Sequence, residues 1–374
     1  MRGAAVKTRM RMNSYLLIDS TALTANVKAI REELGGAKLV PVLKCDAYGL
    51  GAVEMARLLG EQGIDTFAVS HVSEGLQLRD AGIEATIWVM SIPLDFQLRD
   101  AAEAGLVLTL GSFRQFEIMK ETAEAVGRPV SVQIKLETGL HRIGFLQEEI
   151  PALAQAMEEY SRYLHCTGCF SHFRDSIEAD MDEQLELFLT MTGDLKRRGV
   201  ETGLLHMSSS ASLEKCAKYN LDAVRIGRRL YMDHPFMPTG RIREAASLRA
   251  YLADIRQRKA GETLGYDQGY LLTEDKTVGV LSVGYGDGLS PDLYRLGEPV
   301  LVNGVRARLL ACCMDQSFVD LSGIACQPGD EVTFFGYDAA GNFLSAQQIA
   351  NDIGANEGCA LTSALHSRVA RVIR

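Results

Sequence analysis

Hydrophobic residues recur along this chain in short blocks separated by longer amphipathic stretches. Runs rich in Val, Ile and Leu sit at 38–43 (KLVPVL), 66–70 (TFAVS), 86–90 (TIWVM), 106–110 (LVLTL), 130–136 (VSVQIKL), 165–171 (HCTGCFS), 203–207 (GLLHM) and 222–226 (DAVRI). Nearly continuous apolar runs of this length predict strands buried on both faces. Between most of them, stretches such as GAVEMARLLGEQG and MDEQLELFLTMTGDLKRRG place apolar residues at helical spacing and end on glycine. Eight strands alternating with helices predict a closed parallel (β/α)8 barrel of the TIM type, because parallel strands need crossovers and eight close around a filled interior. Pro41 weakens the first run as a strand, since proline donates no ladder hydrogen bond.

From about 245 the pattern changes. KTVGVLSVGYGDG, EPVLVNGVRARLLACC and DEVTFFGYDAAG are short strands broken by Asn-Gly, Gly-Asp and Ala-Gly turns, which predict a mainly antiparallel β domain. We place the domains at 15–240 and 241–374, with the boundary after the MDHPFMPTG loop. Residues 1–14 form a leader, and the first strand (SYLLI) is a candidate to pack with the C-terminal domain.

Composition narrows the class of protein. Hydrophobic residues make up 47% and charged residues 23% of 374, close to a globular average. Net charge is −9 from 39 basic and 48 acidic side chains, so no basic field exists to hold nucleic acid or anionic lipid, and a small molecule is the expected partner. The start carries positive charges but lacks the apolar stretch of a signal peptide, and no run approaches the roughly 20 apolar residues of a membrane span. Eight scattered cysteines fit reduced thiols better than a disulfide framework, so a cytoplasmic protein is expected.

The polar residues fall in a telling place. Barrel enzymes keep their chemistry at the carboxyl ends of the strands. Lys44 follows the first strand, Arg142 lies just past the fifth, His172 follows the sixth, Ser208 and Ser209 the seventh, and Arg225 with Gly227 closes the eighth. A charged amine at a strand mouth is costly unless something pairs with it or uses it. Such a lysine can form an imine with an aldehyde cofactor, and the phosphate of pyridoxal phosphate can use the polar ends of strands seven and eight. Taken one by one, these residues stay open to plainer readings: a snorkelling rim lysine, a satisfied core histidine. Cys166 and Cys169 form a C-x-x-C inside a predicted strand with no second pair, which favours buried thiols over zinc or redox chemistry. Asp287 resembles one corner of a calcium loop whose other ligands are missing, so no metal is expected.

The separated motifs VLKCDAYGLG, KLETGLHRIGF, CFSHF, AVRIG, SVGYGDG and CCMDQ resemble, in order, those of the alanine racemase family, over nearly the whole chain. The resemblance implies the two-domain fold above and a PLP-dependent racemase acting on alanine, with serine as a candidate co-substrate. It implies that Lys44 bonds the cofactor and is the base on one face of the substrate. Tyr48, Ser208, Ser209 and the backbone N–H groups of Gly227 and Arg228 would hold the phosphate. Arg225 would face the pyridine nitrogen, His172 would belong to the network around it, and Arg142 would lie beside the phenolic oxygen and the substrate. Tyr285 would be the second base, supplied by the partner subunit of a homodimer, and the Met314 N–H would meet the substrate carboxylate. Lys135 stands where some members carry a carbamylated lysine.

The chain departs from the family pattern at several points. Leu50 replaces a histidine, and arginines follow Gly227. The ending GCALTSALHSRVARVI lacks a pocket tyrosine and looks more like that of the serine/alanine racemases of the vancomycin-resistance type, with Ser363 as the aligned replacement. Two other readings stand beside this one: a PLP-dependent decarboxylase of the same fold, and a PLP-binding protein without turnover. The motifs around Tyr285 and Met314 weigh against both.

Overall fold

The structure is a computed structural model that describes residues 12–213, 215–233, 240–267, 269–355 and 357–374. The leader expected at 1–14 and the boundary loop at 232–240 fall largely outside them. The chain divides into two compact units, one of residues 26–47 and 51–230, the other of 12–25, 48–50 and 231–374.

The opening strand, β1 (Ser14–Ile18), belongs to the second unit. In the first unit each apolar block forms a strand: β2 (Lys38–Pro41), β3 (Thr66–Val69), β4 (Thr86–Val89), β5 (Leu108–Leu110), β6 (Val130–Lys135), β7 (Leu164–Phe170), β8 (Leu204–His206) and β9 (Ala223–Ile226). They form parallel sheet pieces: β2 with β9, β3 with β4, and β5 through β8 in order. Backbone hydrogen bonds link the pieces. Leu43 N–H donates to Ala68 O at 2.8 Å, Val107 N–H to Ile87 O at 2.9 Å and Asp222 N–H to Leu205 O at 3.0 Å. Pro41 does little harm because it ends β2, and Val42 N–H then donates to Ile226 O at 2.7 Å.

Side chains from several strands pack together between them, with Val40, Ala68, Trp88, Val107 and Ala223 in one buried cluster. The helices between strands are amphipathic for the reason their sequence indicates. Ala52–Gly60 buries Ala52, Met55, Ala56 and Leu59, which share one face at helical spacing. Glu178–Arg197 carries Glu178 and Asp180 in its first turn and Lys196 and Arg197 in its last, the arrangement its dipole favours.

The second unit is built on a nine-stranded sheet, antiparallel in all but one pairing. Its spine is β10 (Ala246–Arg258), which pairs with β1, Lys276–Leu281 and Glu331–Tyr337. Asn303 and Gly304, both with positive φ, make the two-residue turn between Pro299–Val302 and Val305–Cys312, as an Asn-Gly pair predicts. The opening strand, counted within 15–240 and named as a candidate to pack with the C-terminal domain, lies in this sheet, antiparallel to β10 and parallel to the final strand Ala370–Ile373. All five residues of β1 are buried, a pattern that requires neighbours on both edges and both faces. Among the described residues no helix is long and apolar enough to cross a membrane.

Candidate active site

At the carboxyl ends of the parallel strands the centre of the arrangement is Arg225, on β9 and buried. An arginine has five N–H donors in a fixed fork. Here Nη1 donates to the Nδ1 and, at 3.2 Å, the carbonyl of His206. Nη2 donates to Ser171 O at 2.8 Å, Met207 O at 3.0 Å and His172 Nδ1 at 3.1 Å. The Nη donors are therefore committed, and Nε–H is the donor left for a ligand. Burial, with Arg142 nearby, pulls Arg225 down to about 9, so it is still cationic at neutral pH.

The two histidines that flank it are neutral. Burial pushes His172 down to about 3, helped by the charges of Arg225, Arg142, Lys135 and Lys44. That one imidazole therefore feels four of the cations singled out in the sequence. His206 is fully buried and lies well below the usual histidine range for the same reason, burial first and Arg225 second. With Nδ1 accepting from Arg225, its Nε2–H donates to Gln133 Oε1 at 2.9 Å. Its ring is stacked between Trp88 at 4.6 Å and Phe170 at 5.3 Å. Sequence reasoning missed His206 and Gln133. The available signal was position, because His206 ends the seventh strand, two residues before Ser208.

Lys44 opens an unusual turn. The segment Lys44–Gly49 is helical, yet Cys45, Asp46, Ala47 and Tyr48 have φ of 52, 55, 52 and 58°. The turn is left-handed, a conformation that costs about 1–2 kcal/mol for each residue with a Cβ. Local bonds hold it: Cys45 N–H donates to Glu74 Oε1 at 2.7 Å, Ala47 N–H to Leu43 O at 2.9 Å and Ala52 N–H to Asp46 Oδ1 at 2.7 Å. Backbone strain of this kind is a mark of functional segments. Lys44 is exposed, not enclosed in the mouth of a buried strand as the sequence suggested.

Lys135, at the end of β6, is buried, and its Nζ donates to Leu136 O at 2.5 Å. Burial pulls it down to about 8, with Arg225 and Arg142 adding to the shift and Glu137 opposing it. Arg142 is set by a loop that returns to the strand end, Phe145 N–H donating to Lys135 O at 2.9 Å. Within that loop Glu137 accepts from the N–H groups of Gly139 at 2.6 Å and Arg142 at 3.2 Å.

The phosphate-end candidates are less uniform. Ser208 is fully buried, with its hydroxyl donating to Tyr219 O and its carbonyl accepting from Arg225 N–H at 3.1 Å. Ser209 is half-buried, and its N–H donates to Ser212 Oγ at 2.8 Å. Gly227 is buried and Arg228 half-buried at the start of the 3-10 turn Arg228–Leu230. The second arginine, Arg229, does not serve this end. It is buried in a two-point ion pair with Glu33, at 2.6 and 3.1 Å. Cys166 and Cys169 are free thiols on β7, beside a register shift in its pairing with β6.

The second unit holds a separate cluster. Tyr285 opens the turn Tyr285–Asp287, and its N–H donates to Cys313 O at 3.2 Å, while Gly286 N–H donates to Met314 O at 2.8 Å. Tyr285 and Met314 are thus neighbours, and both are exposed, 37% and 50%. Asp287 is ion-paired with Arg368 rather than free for calcium, and no group of three metal-ligating side chains occurs among the described residues. Ser363 ends the helix Cys359–Ser363 and is exposed. Of the C-terminal side chains, His366 meets the Tyr285 turn, its Nδ1–H donating to Gly286 O at 2.9 Å. Tyr48 lies with its ring 6.2 Å from that of Tyr231.

A parallel-strand unit that gathers a lysine, buried arginine and neutral imidazoles at its strand ends, joined to a β domain carrying an exposed tyrosine, defines a cofactor-dependent enzyme of amino-acid chemistry. Comparison with known proteins places it further. A family model described as "Alanine racemase, N-terminal domain" matches residues 18–235, and "Alanine racemase, C-terminal domain" matches 245–373. The chain is 30% identical over 379 residues to the alanine racemase of Desulfosudis oleivorans, covering 96% of each. It is 29% identical over 366 residues to that of Clostridium tetani, covering 95% of this chain and 94% of the relative. Among solved structures, the alanine racemase of Clostridium difficile superposes with a TM-score of 0.89 at 28% identity, over 97% of this chain and 96% of that one. That of Streptomyces coelicolor gives 0.88 at 30% identity, over 98% and 99%. The chain belongs to the alanine racemase family, whose members are isomerases that depend on pyridoxal phosphate.

Proposed function

We propose that this chain interconverts L- and D-alanine, with serine as a second substrate, by proton transfer on both faces of the substrate. The observation that carries the reading is Arg225, a buried guanidinium whose Nη donors are committed and whose Nε–H is left as the fifth. A pyridine nitrogen without a proton is the acceptor that such a donor fits, and a permanent cation opposite it disfavours its protonation. Neutral His172 and His206 suit this role, because protonating either would place a second cation against Arg225.

The residues present fit pyridoxal phosphate. Lys44 would bond it, and Tyr48, Ser209, Gly227 and Arg228 would hold its phosphate. Ser208 would act through its carbonyl, which positions Arg225. Bound there, the cofactor supplies a carbonyl for the substrate amine and a conjugated ring that withdraws electrons from Cα. Lys44 then moves a proton at Cα on one face and Tyr285 on the other, since inversion needs removal on one side and return on the opposite one. The Met314 N–H and Arg142 would orient the substrate carboxylate. Such orientation decides which Cα bond is labile, so it favours proton transfer over loss of the carboxyl group.

We read the eight parallel strands as one closed (β/α)8 barrel over 15–240 less its opening strand, a reading supported by the backbone bonds that join the pieces. Exposure of Tyr285 and Met314 supports their use in the site of a second subunit, giving a homodimer with shared sites. The free cysteines support a reducing, cytoplasmic setting. The absence of a bulky pocket residue at Ser363 supports room for a hydroxymethyl group. The test is proton NMR of the holoenzyme in D2O with L-alanine, L-serine and larger amino acids. Loss of the Cα–H signal with inversion is expected for alanine and, more slowly, serine. A holoenzyme that exchanges neither refutes the assignment.

A further inference from the structure

The Tyr285 turn and the Met314 loop are far apart in sequence, and one side chain ties them together. Arg368 Nε donates to Asp287 Oδ1 at 2.5 Å and Nη2 to Asp287 Oδ2 at 3.1 Å. The same Nη2 reaches Asp315 Oδ1 at 2.6 Å. Asp287 closes the turn that Tyr285 opens, and its Oδ2 accepts Gly284 N–H at 2.8 Å. Asp315 directly follows Met314. The two segments also touch along their backbones. A Cβ on Gly284 would lie 2.3 Å from Cys313 O, so the approach admits only glycine there.

We propose that Arg368 is a positioning residue for Tyr285, a clamp that holds the second base and the substrate-orienting Met314 in one geometry. The inference rests on the reading of Tyr285 as the second base. Asp287 is buried, and without a cation its carboxylate, bonded to the Gly284 N–H alone, would be a costly buried charge, relieved by opening the turn or by taking up a proton. Arginine suits the place because a planar fork bonds one carboxylate at two points and still reaches another, which an ammonium cannot do with the same rigidity. His366 completes the hold: its N–H donates to Asp287 O at 3.0 Å and its ring to Gly286 O. Tyr285 serves one face of the reaction, so loosening its turn disturbs that face more than the other.

The experiment follows Cα–H exchange and inversion for L- and D-alanine separately, in D2O, with holoenzyme of the wild type, Arg368→Ala, Arg368→Lys and Tyr285→Phe. The expected result for Arg368→Ala is slower exchange of the enantiomer that Tyr285→Phe also slows, by at least about tenfold more than of the other. Arg368→Lys should fall between it and wild type. Amide hydrogen exchange gives a readout independent of turnover: the Tyr285 and Gly286 N–H groups should lose protection in Arg368→Ala. If Arg368→Ala does not fold, Asp315→Asn keeps the Asp287 pair and loosens the Met314 side, and a smaller loss of protection is expected at the Tyr285 and Gly286 N–H groups, which bond that loop. Equal slowing of Cα–H exchange for both enantiomers, or unchanged exchange and protection, overturns the clamp. If Tyr285→Phe itself shows no asymmetry, the two-base reading falls and the clamp with it. If Tyr285→Phe is asymmetric and the Arg368 variants are not, the clamp alone falls.

Discussion

Replacing Gly49 by alanine tests whether the left-handed turn after Lys44 is held from outside. Gly49 has φ of +84°, and a Cβ there would lie 2.0 Å from Thr362 O and 2.8 Å from Ser363 N. Ordinary contact begins near 3.4 Å, so backbone would have to move by more than an ångström. Gly35 is a natural control, with φ of +62° and nothing within 4 Å of its would-be Cβ. At Gly35 only the left-handed strain is added, about 1–2 kcal/mol. At Gly49 the same strain is joined by overpacking, typically 1–3 kcal/mol, for a total of about 2–5 kcal/mol. The assay is urea unfolding of each holoenzyme beside a titration with pyridoxal phosphate. Gly49→Ala should be the less stable variant and should bind cofactor more weakly, because the displaced residue ends the turn that carries Lys44 and Tyr48. Gly35→Ala should bind it as wild type does. Equal stabilities for the two variants, or undiminished cofactor affinity in Gly49→Ala, would show that the contact with residues 362–363 does not hold the turn.

His172 and His206 stay neutral in the fold but take up a proton in the unfolded chain below about pH 6.5, so acid should erode stability from there downward, by at most about 1.4 kcal/mol per pH unit for each ring. Half-buried Glu244, raised to about 8, acts in the opposite sense between about 4.5 and 8, so the comparison is with His206→Gln, which keeps Glu244; the wild type should lose its urea midpoint more steeply from pH 6.5 to 5, and equal slopes would refute the assignment. Arg225→Lys keeps a cation but not the fork, and weaker cofactor binding with lower turnover is expected in a titration and an inversion assay, unchanged values counting against a bond through Nε. Lys135, held near 8, has a substantial neutral fraction at mildly alkaline pH; native mass spectrometry in bicarbonate should show a gain of one carbon dioxide in the wild type that is absent from Lys135→Ala.

Much of this protein was legible in its residues. Continuous apolar runs mark parallel strands because both faces of such strands are covered, and β3 and β5 are buried at every position. Helical spacing located Ala52–Gly60 and Glu178–Arg197, and the motifs brought Lys44, Arg142, His172 and Arg225 to notice before any coordinates. What local pattern could not carry was decided by packing. The left-handed turn runs through Cys, Asp, Ala and Tyr, of which only Asp tolerates it, so local preference does not account for it and contacts such as Glu74 on Cys45 and the close approach of Thr362 to Gly49 help to hold it. Of the arginines that follow Gly227, Arg229 pairs with Glu33, close in space and distant in sequence. β1 precedes the parallel region in the chain and yet completes the sheet of the other unit, because its buried edges need β10 and Ala370–Ile373. Sequence reports what each residue can do; which carboxylate meets Arg368 or which imidazole meets Arg225 depends on distances that only the folded chain creates.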